Sequence, residues 1–281
     1  MQWQKLFVGL LVMAISASLA MAAGGGYKLA YRMKKGQSLK YMANLKADQS
    51  REMQGQETKS SSEGTTLTRL DVEEVAKNGN ITFVYALESF ETHVQAPGMD
   101  TTFRNPEGLL GKRTRQIISP QGKKIKSVVV DTVKLAGMLG QLGGGRQSVN
   151  LIELPEKEVK ISESWTTSTT DTITQMGGKV VVTPNTTYTV AGEVDTLGYK
   201  CLRIPYAGKV TIKGEGMQMG MNFFIEGEGP TNGTVYFAPK EGLLVAMVSE
   251  SNMEMTIALT GQMSMTIPQS SSTKISIVLI K

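Results

Sequence analysis

Over most of this chain the apolar residues recur at every second position, a rhythm that restricts it to half-buried β-strands more tightly than any other feature. Leu29, Tyr31 and Met33 alternate, as do Leu39, Tyr41, Ala43 and Leu45, with Lys, Arg or Gln mostly between them. The same spacing recurs at Ile81 to Leu87, Val180 and Val182, Thr187 to Val194, Leu202 to Ile212, and Leu243 to Met247. Turn-forming residues punctuate these runs at Lys77 to Asn80, Pro120 to Gly122, Gly177-Gly178, Pro230 to Gly233 and Pro239 to Gly242,. The expectation is an all-β, mainly antiparallel protein: a curved sheet or half-barrel built of hairpins.

Helical spacing is rare. Asp131 to Leu142 has an N-cap candidate in Asp131 and apolar Val133, Leu135, Met138, Leu139 and Leu142, and Gly143-Gly144-Gly145 stops it,. One helix is expected there, and a short helical turn over Asn105 to Leu110, with Pro106 at its first position.

Residues 1–22 read as a secretory leader. Lys5 precedes an apolar run from Leu6 to Leu19, and Ala20-Met21-Ala22 has the small-x-small spacing of a cleavage site,. The run is short for a bilayer span, and no later stretch reaches the roughly twenty apolar residues a transmembrane helix needs. Cleavage after Ala22 leaves about 259 residues, enough for one large or two small domains,. The single cysteine, Cys201, excludes an intramolecular disulfide and stands too far along to carry a lipid anchor,. The expected address is the periplasm or surface of a Gram-negative cell.

An internal repeat is suggested. Lys34-Lys35-Gly36-Gln37-Ser38-Leu39 opens one half and Val159 to Trp165 opens another, and each half ends in a strand, a Pro-x-Gly or Pro-x-x-Gly turn and a strand,. This divides the chain into the leader 1–22, a first β half 23–145 that ends in the helix, and a second β half 146–281. The segment Leu154-Pro155-Glu156-Lys157-Glu158-Val159-Lys160-Ile161-Ser162-Glu163-Ser164-Trp165 resembles the leucine-proline, basic, valine, glycine, acidic, tryptophan stretch of uncharacterised exported β-rich proteins of Gram-negative bacteria. Those proteins usually have glycine where this chain has Ser162. The resemblance implies a half-barrel of the periplasmic lipoprotein-carrier type, an apolar cavity closed by a helix, and no catalytic residues.

Few residues could carry chemistry. His93 is the only histidine, so every histidine-based site must be built around it; Glu91 could orient it as a base, and a surface strand histidine is the simpler reading,. Cys201 has Lys200 beside it, but adjacent strand residues point to opposite faces, which favours a buried small hydrophobe,. Gly143-Gly144-Gly145-Arg146 follows a helix pattern instead of opening one, so it reads as a linker and not a phosphate loop,. Two basic clusters, Lys112-Arg113-x-Arg115 and Lys123-Lys124-x-Lys126, could form one positive patch, but no aromatic residue lies between positions 104 and 164 to support nucleic-acid binding,.

Methionine is the unusual feature. Met217, Met219, Met221, Met253, Met255, Met263 and Met265 are spaced at period two within fifty residues, and the first set runs on into Phe223. Three readings stand: plain core, a deformable lining for an apolar guest, and a soft Cu(I) site. The chain is expected to be a non-catalytic exported protein without cofactor. The favoured function is holding an apolar or lipid-like ligand against Met217, Met219, Met221, Phe223, Met253, Met255, Met263 and Met265. The alternative is a structural or partner-binding module of the cell envelope.

Overall fold

The computed structural model describes residues 25–53, 55–131, 151–175, 178–218, 221–261 and 264–280. The expected leader, the helix over 131–142 and the triple glycine fall outside these, apart from Asp131. Among the described residues there are fourteen strands and no helix. They are β1 (Ser38–Met53), β2 (Gln56–Val75), β3 (Ile81–Ala96), β4 (Met99–Arg104), β5 (Arg113–Ile118), β6 (Lys124–Val129) and β7 (Ser164–Ser168), followed by β8 (Asp171–Gln175), β9 (Gly178–Thr189), β10 (Gly192–Thr196), β11 (Tyr199–Gln218), β12 (Met221–Ala238), β13 (Leu243–Thr260) and β14 (Met265–Ile280). All pair antiparallel in one sheet, in the order β6-β5-β3-β2-β1-β14-β13-β12-β11-β9-β7, with β4, β8 and β10 attached beside β3, β9 and β11.

Alternation fixes which residues look inward. Leu39 and Tyr41 of β1, Leu70 of β2, Phe83 and Tyr85 of β3, Ile204 of β11, Val235 and Phe237 of β12 and Leu279 of β14 all enter one core. The two wings therefore curl around a common interior, and the chain itself fills one end of it. Leu29, Tyr31 and Met33, with Ile152, Leu154 and Val159, are buried there. The period-two reading of Leu29 to Met33 predicts a ladder strand. The structure has an extended segment with a single bridge, Tyr27 to Val159, because alternation reports extended backbone and not its pairing partner. Both Pro-containing turns grip this segment: Tyr31 N–H donates to the Pro120 carbonyl (2.7 Å) and Arg32 N–H to that of Gly242 (3.1 Å).

Two further expectations differ. Asn105 to Leu110 forms turns and no helix, since Asn105, Gly108 and Gly111 all have positive φ. Pro230 to Gly233 is not a hairpin turn but the middle of β12, an 18-residue strand. The missing N–H of Pro230 is accommodated where the β12–β13 ladder skips Gly229 and Pro230,.

The two segments singled out as repeat openings are built alike. Gln37 N–H donates to the Lys34 carbonyl (2.9 Å) and Glu163 N–H to the Lys160 carbonyl (3.1 Å). Lys34 N–H meets Gln37 Oε1 at 2.8 Å, and Lys160 N–H meets Glu163 Oε2 at 2.8 Å. Gly36 and Ser162 occupy the same left-handed place, with φ of 80° and 72°. Ser162 thus sits where the resembling proteins carry glycine, in a conformation that glycine alone adopts without penalty.

Candidate functional site

Beyond the filled end the long strands run on, and the interior opens into a cleft of about 1080 Å³ lined from both wings. Gln49, Ser60 and Ala96 reach it from one side, and Gly208, Gly229 and Met253 from the other. The β-ladder registers place its walls row by row. One inward row joins Ser62, Ala47, Thr273, Ser251, Thr231, Gly208 and Thr186, a belt of small residues of which five carry hydroxyls. Towards the hairpin tips the two sides diverge. On β1 and β2 the inward residues are Gln49, Arg51, Ser60 and Thr58, and the Arg51 guanidinium donates to Gln269 Oε1 at 2.7 Å. On β11 to β14 they are Val210, Ile212, Phe223, Ile225, Met253, Met255, Ile257 and Ile267. Of these, Gln49, Ser60 and Met253 line the cleft itself, and the rest carry the inward face on towards the hairpin tips as a trough, polar on one side and apolar on the other.

Glycine makes the curl of the apolar wall possible. A Cβ on Gly229 would collide with the Asn252 carbonyl oxygen, and one on Gly178 or Gly216 would press on the Phe223 ring.

The outward face has the opposite chemistry. It carries cross-strand ion pairs, among them Lys46–Glu63 (2.7 Å), Lys209–Glu228 (2.6 Å), Lys213–Glu226 (3.1 Å) and Lys274–Glu250 (3.4 Å). Each is solvent-exposed and contributes little to stability on its own. Together they make this face water-seeking, whereas the exterior of a transmembrane barrel is an apolar band. No helix among the described residues is long and apolar enough to cross a membrane.

The expected apolar site is only partly assembled. Phe223 (6 % exposed), Met253 (8 %) and half-buried Met221, Met255 and Met265 share the inward face. Met217 does not: paired with outward Asn222, it points to the convex side and is 60 % exposed. Period-two spacing runs its stripe into Phe223, but the reversal between β11 and β12 pairs Gln218, not Met217, with inward Met221. Met219 and Met263 lie outside the described residues.

The remaining candidates are spoken for. His93 faces Thr102 (Nδ1 to Oγ1, 3.0 Å) and Asp100 (Nε2 to Oδ1, 3.4 Å), while Glu91 pairs with Arg104 at 3.1 Å and does not orient the imidazole. Cys201 is buried with Ala238 and Val245, and burial pushes its thiol up to about 11, with Glu241 and Asp195 adding to the shift. Three of the six cations in the two basic clusters are paired: Arg113 holds Asp131 (2.8 Å), Arg115 holds Glu73 (2.7 Å) and Lys124 holds Asp171 (2.9 Å). Each of the first two lowers its carboxylate partner's pKa. Among the described residues no three His, Cys, Asp or Glu side chains gather as a metal site.

Sequence reasoning missed the small polar belt, because Ser and Thr between charged neighbours look solvent-facing on both sides of a strand. Only the ladder registers reveal that they share one row.

No protein-family model matches the chain, and no curated protein matches it. Among solved structures it is similar to the COG4313 outer membrane channel from Pseudomonas putida F1, with 9 % identity and a TM-score of 0.29 over 92 % of this chain and 100 % of that one. It is also similar to Pseudomonas aeruginosa OccK5 (OpdH), with 6 % identity and a TM-score of 0.28 over 87 % and 98 % of the two chains. Salmonella typhi OmpF, in complex with daunomycin, follows at 5 % identity and a TM-score of 0.27 over 86 % and 98 %. The first of these is an outer membrane channel, none is a lipoprotein carrier of the kind the sequence resemblance implied, and the scores are too low to carry a fold or a role to this chain.

Proposed function

We propose that the concave trough holds an amphiphilic guest, and that the protein is a non-catalytic binding module working on the water side of the bacterial envelope. The observation that carries this reading is the difference between the two walls. Met253, Met255, Ile257, Ile267 and Phe223 offer a deformable apolar surface on one side, and Gln49, Ser60 and Arg51 offer hydrogen-bonding groups on the other. Methionine adapts to guests of varied shape, and the cleft of about 1080 Å³ lined by Gln49, Ser60 and Met253, where the trough begins, has room for a polar head and part of an acyl chain,. Export rests on the leader pattern of residues 1–22, and the ionic convex face supports a water-exposed location. The same reading takes the two meanders as copies of one unit. Their matching Lys34 and Lys160 turns support this, as does the matching order of β6-β5-β3-β2-β1 and β13-β12-β11-β9-β7, with β14 an addition to the second.

The test is native mass spectrometry of the protein purified from an exporting host without detergent, with organic extraction and metal analysis of the same sample. A bound amphiphile of defined mass, released by extraction, is the expected result. Stoichiometric copper on the Met253 face would replace this reading with the soft-metal one. A guest-free protein that takes up no added phospholipid or fatty acid would remove it.

A further inference from the structure

We infer that a second cleft, beside Trp165, is a saccharide-binding site. It has a volume of about 810 Å³ and lies where β7 ends the sheet, against the turn of β5 and β6 and residues 153–159. Trp165 faces inward on β7 and stacks on Tyr188 of β9, with ring centroids 5.2 Å apart and planes 14° apart. Tyr188 in turn meets Tyr206 of β11 at 5.3 Å. The indole N–H donates to the Glu153 carbonyl at 3.0 Å, which fixes the ring in its plane. Among the described residues β7 stands at the end of the main sheet order, beside β9, and Trp165, partly buried against the core, lines the cleft.

Polar Gln121, Glu153, Glu156 and Thr167 line the same cleft, beside apolar Leu154 and Pro155. A rigid aromatic plate ringed by hydroxyl, amide and carboxylate groups is the complement of a pyranose. The electron-rich ring face attracts the weakly positive C–H groups on one side of the sugar, and the sugar hydroxyls donate to carboxylates and exchange hydrogen bonds with Gln, Ser and Thr. An acyl chain has no such preference for this rim. The matching place in the first meander carries Leu39 beside Leu70, both buried, with β14 closing over β1. The aromatic pair therefore occurs in the copy whose edge is open. This site does not depend on the guest proposed for the trough.

The experiment starts from a glycan microarray probed with the exported protein, and the best hit is then titrated by intrinsic fluorescence. Trp165 is the single tryptophan outside the leader, so it reports its own site. A saturable change is expected, and isothermal titration calorimetry, which needs no tryptophan, is expected to show binding weakened at least about tenfold in Trp165→Ala. Because that variant could disturb the β7 edge, Glu153→Ala is the second: it keeps the backbone carbonyl that holds the indole, and it weakens sugar binding with an unchanged circular dichroism spectrum. Met255→Glu, in the trough, leaves sugar binding as it was. An empty array overturns the inference, and so does a hit whose affinity is unmoved by both cleft variants. Saturable binding of choline in place of any glycan would overturn it too, making the cleft a cation site.

Discussion

Phe237 tests whether the chain's own segment is seated in the curled sheet. Its side chain is 0 % exposed and meets Tyr31 edge-to-face, with centroids 5.5 Å apart at 88°. Truncating a fully buried phenylalanine costs about 3–5 kcal/mol through lost transfer energy and the cavity left behind. Of this, about 0.5–1.5 kcal/mol belongs to the aromatic pair. Phe237→Ala is therefore expected to lose about 4 kcal/mol, which at a urea m-value of about 2–3 kcal/mol per molar moves the midpoint down by about 1.3–2 M. Tyr31→Phe is the companion. It removes the hydroxyl that donates to the Ile152 carbonyl at 3.1 Å, leaves that buried oxygen without this donor and costs about 1–2 kcal/mol. Equilibrium urea unfolding followed by circular dichroism measures both, with m unchanged. A loss below about 1 kcal/mol for Phe237→Ala would refute the reasoning, because it would mean that residues 27–33 do not pack against β12.

Three more outcomes follow from single residues. Ser162→Gly, which relieves a φ of 72°, should raise stability by about 0.5–1 kcal/mol in the same urea assay; a loss would show that the Ser162 side chain makes a contact worth more than the strain. Burial pushes the Tyr188 phenol up to about 12, hydrogen bonding to Glu193 raises Tyr27 to about 12, and burial raises Tyr31 and Tyr41. Because these folded values exceed the unfolded value near 10, the stability they contribute is complete below pH 10 and is lost as pH climbs through 12,. Absorbance at 295 nm should show delayed ionisation that completes only with unfolding, and a smooth titration of all tyrosines near pH 10 would contradict this. The buried Cys201 thiol, held near 11, should resist a disulfide reagent at about pH 8 until urea is added; rapid native reaction would place it at the surface.

The strands were legible because period-two spacing is local: Leu39 to Leu45, Ile81 to Leu87 and Leu202 to Ile212 all lie in ladders. What spacing cannot supply is the partner. Leu29 to Met33 alternates as β1 does, yet it fills the interior, because its place depends on turns at Pro120 and Gly242 that are far along the chain. Pro230 to Gly233 carries turn residues, but pairing with β11 throughout and with β13 from Thr231 on overrides them. Parity misled at Met217 for a related reason: same-face spacing holds along one strand, and β11 ends before Phe223 is reached. The polar wall was invisible, since Gln49, Ser60 and Ser62 acquire meaning only opposite the apolar wall contributed by residues about two hundred positions later.

The most direct measurement is a titration of lipid-stripped protein with a fluorescent fatty acid, comparing Met255→Glu on the inward face with Met217→Glu on the convex one. The account predicts saturable binding near one guest per chain, weakened at least about tenfold by a buried charge at Met255 and unchanged at exposed Met217,. Absence of saturable binding, or equal losses at the two positions, would contradict the claim that the concave trough is the binding surface.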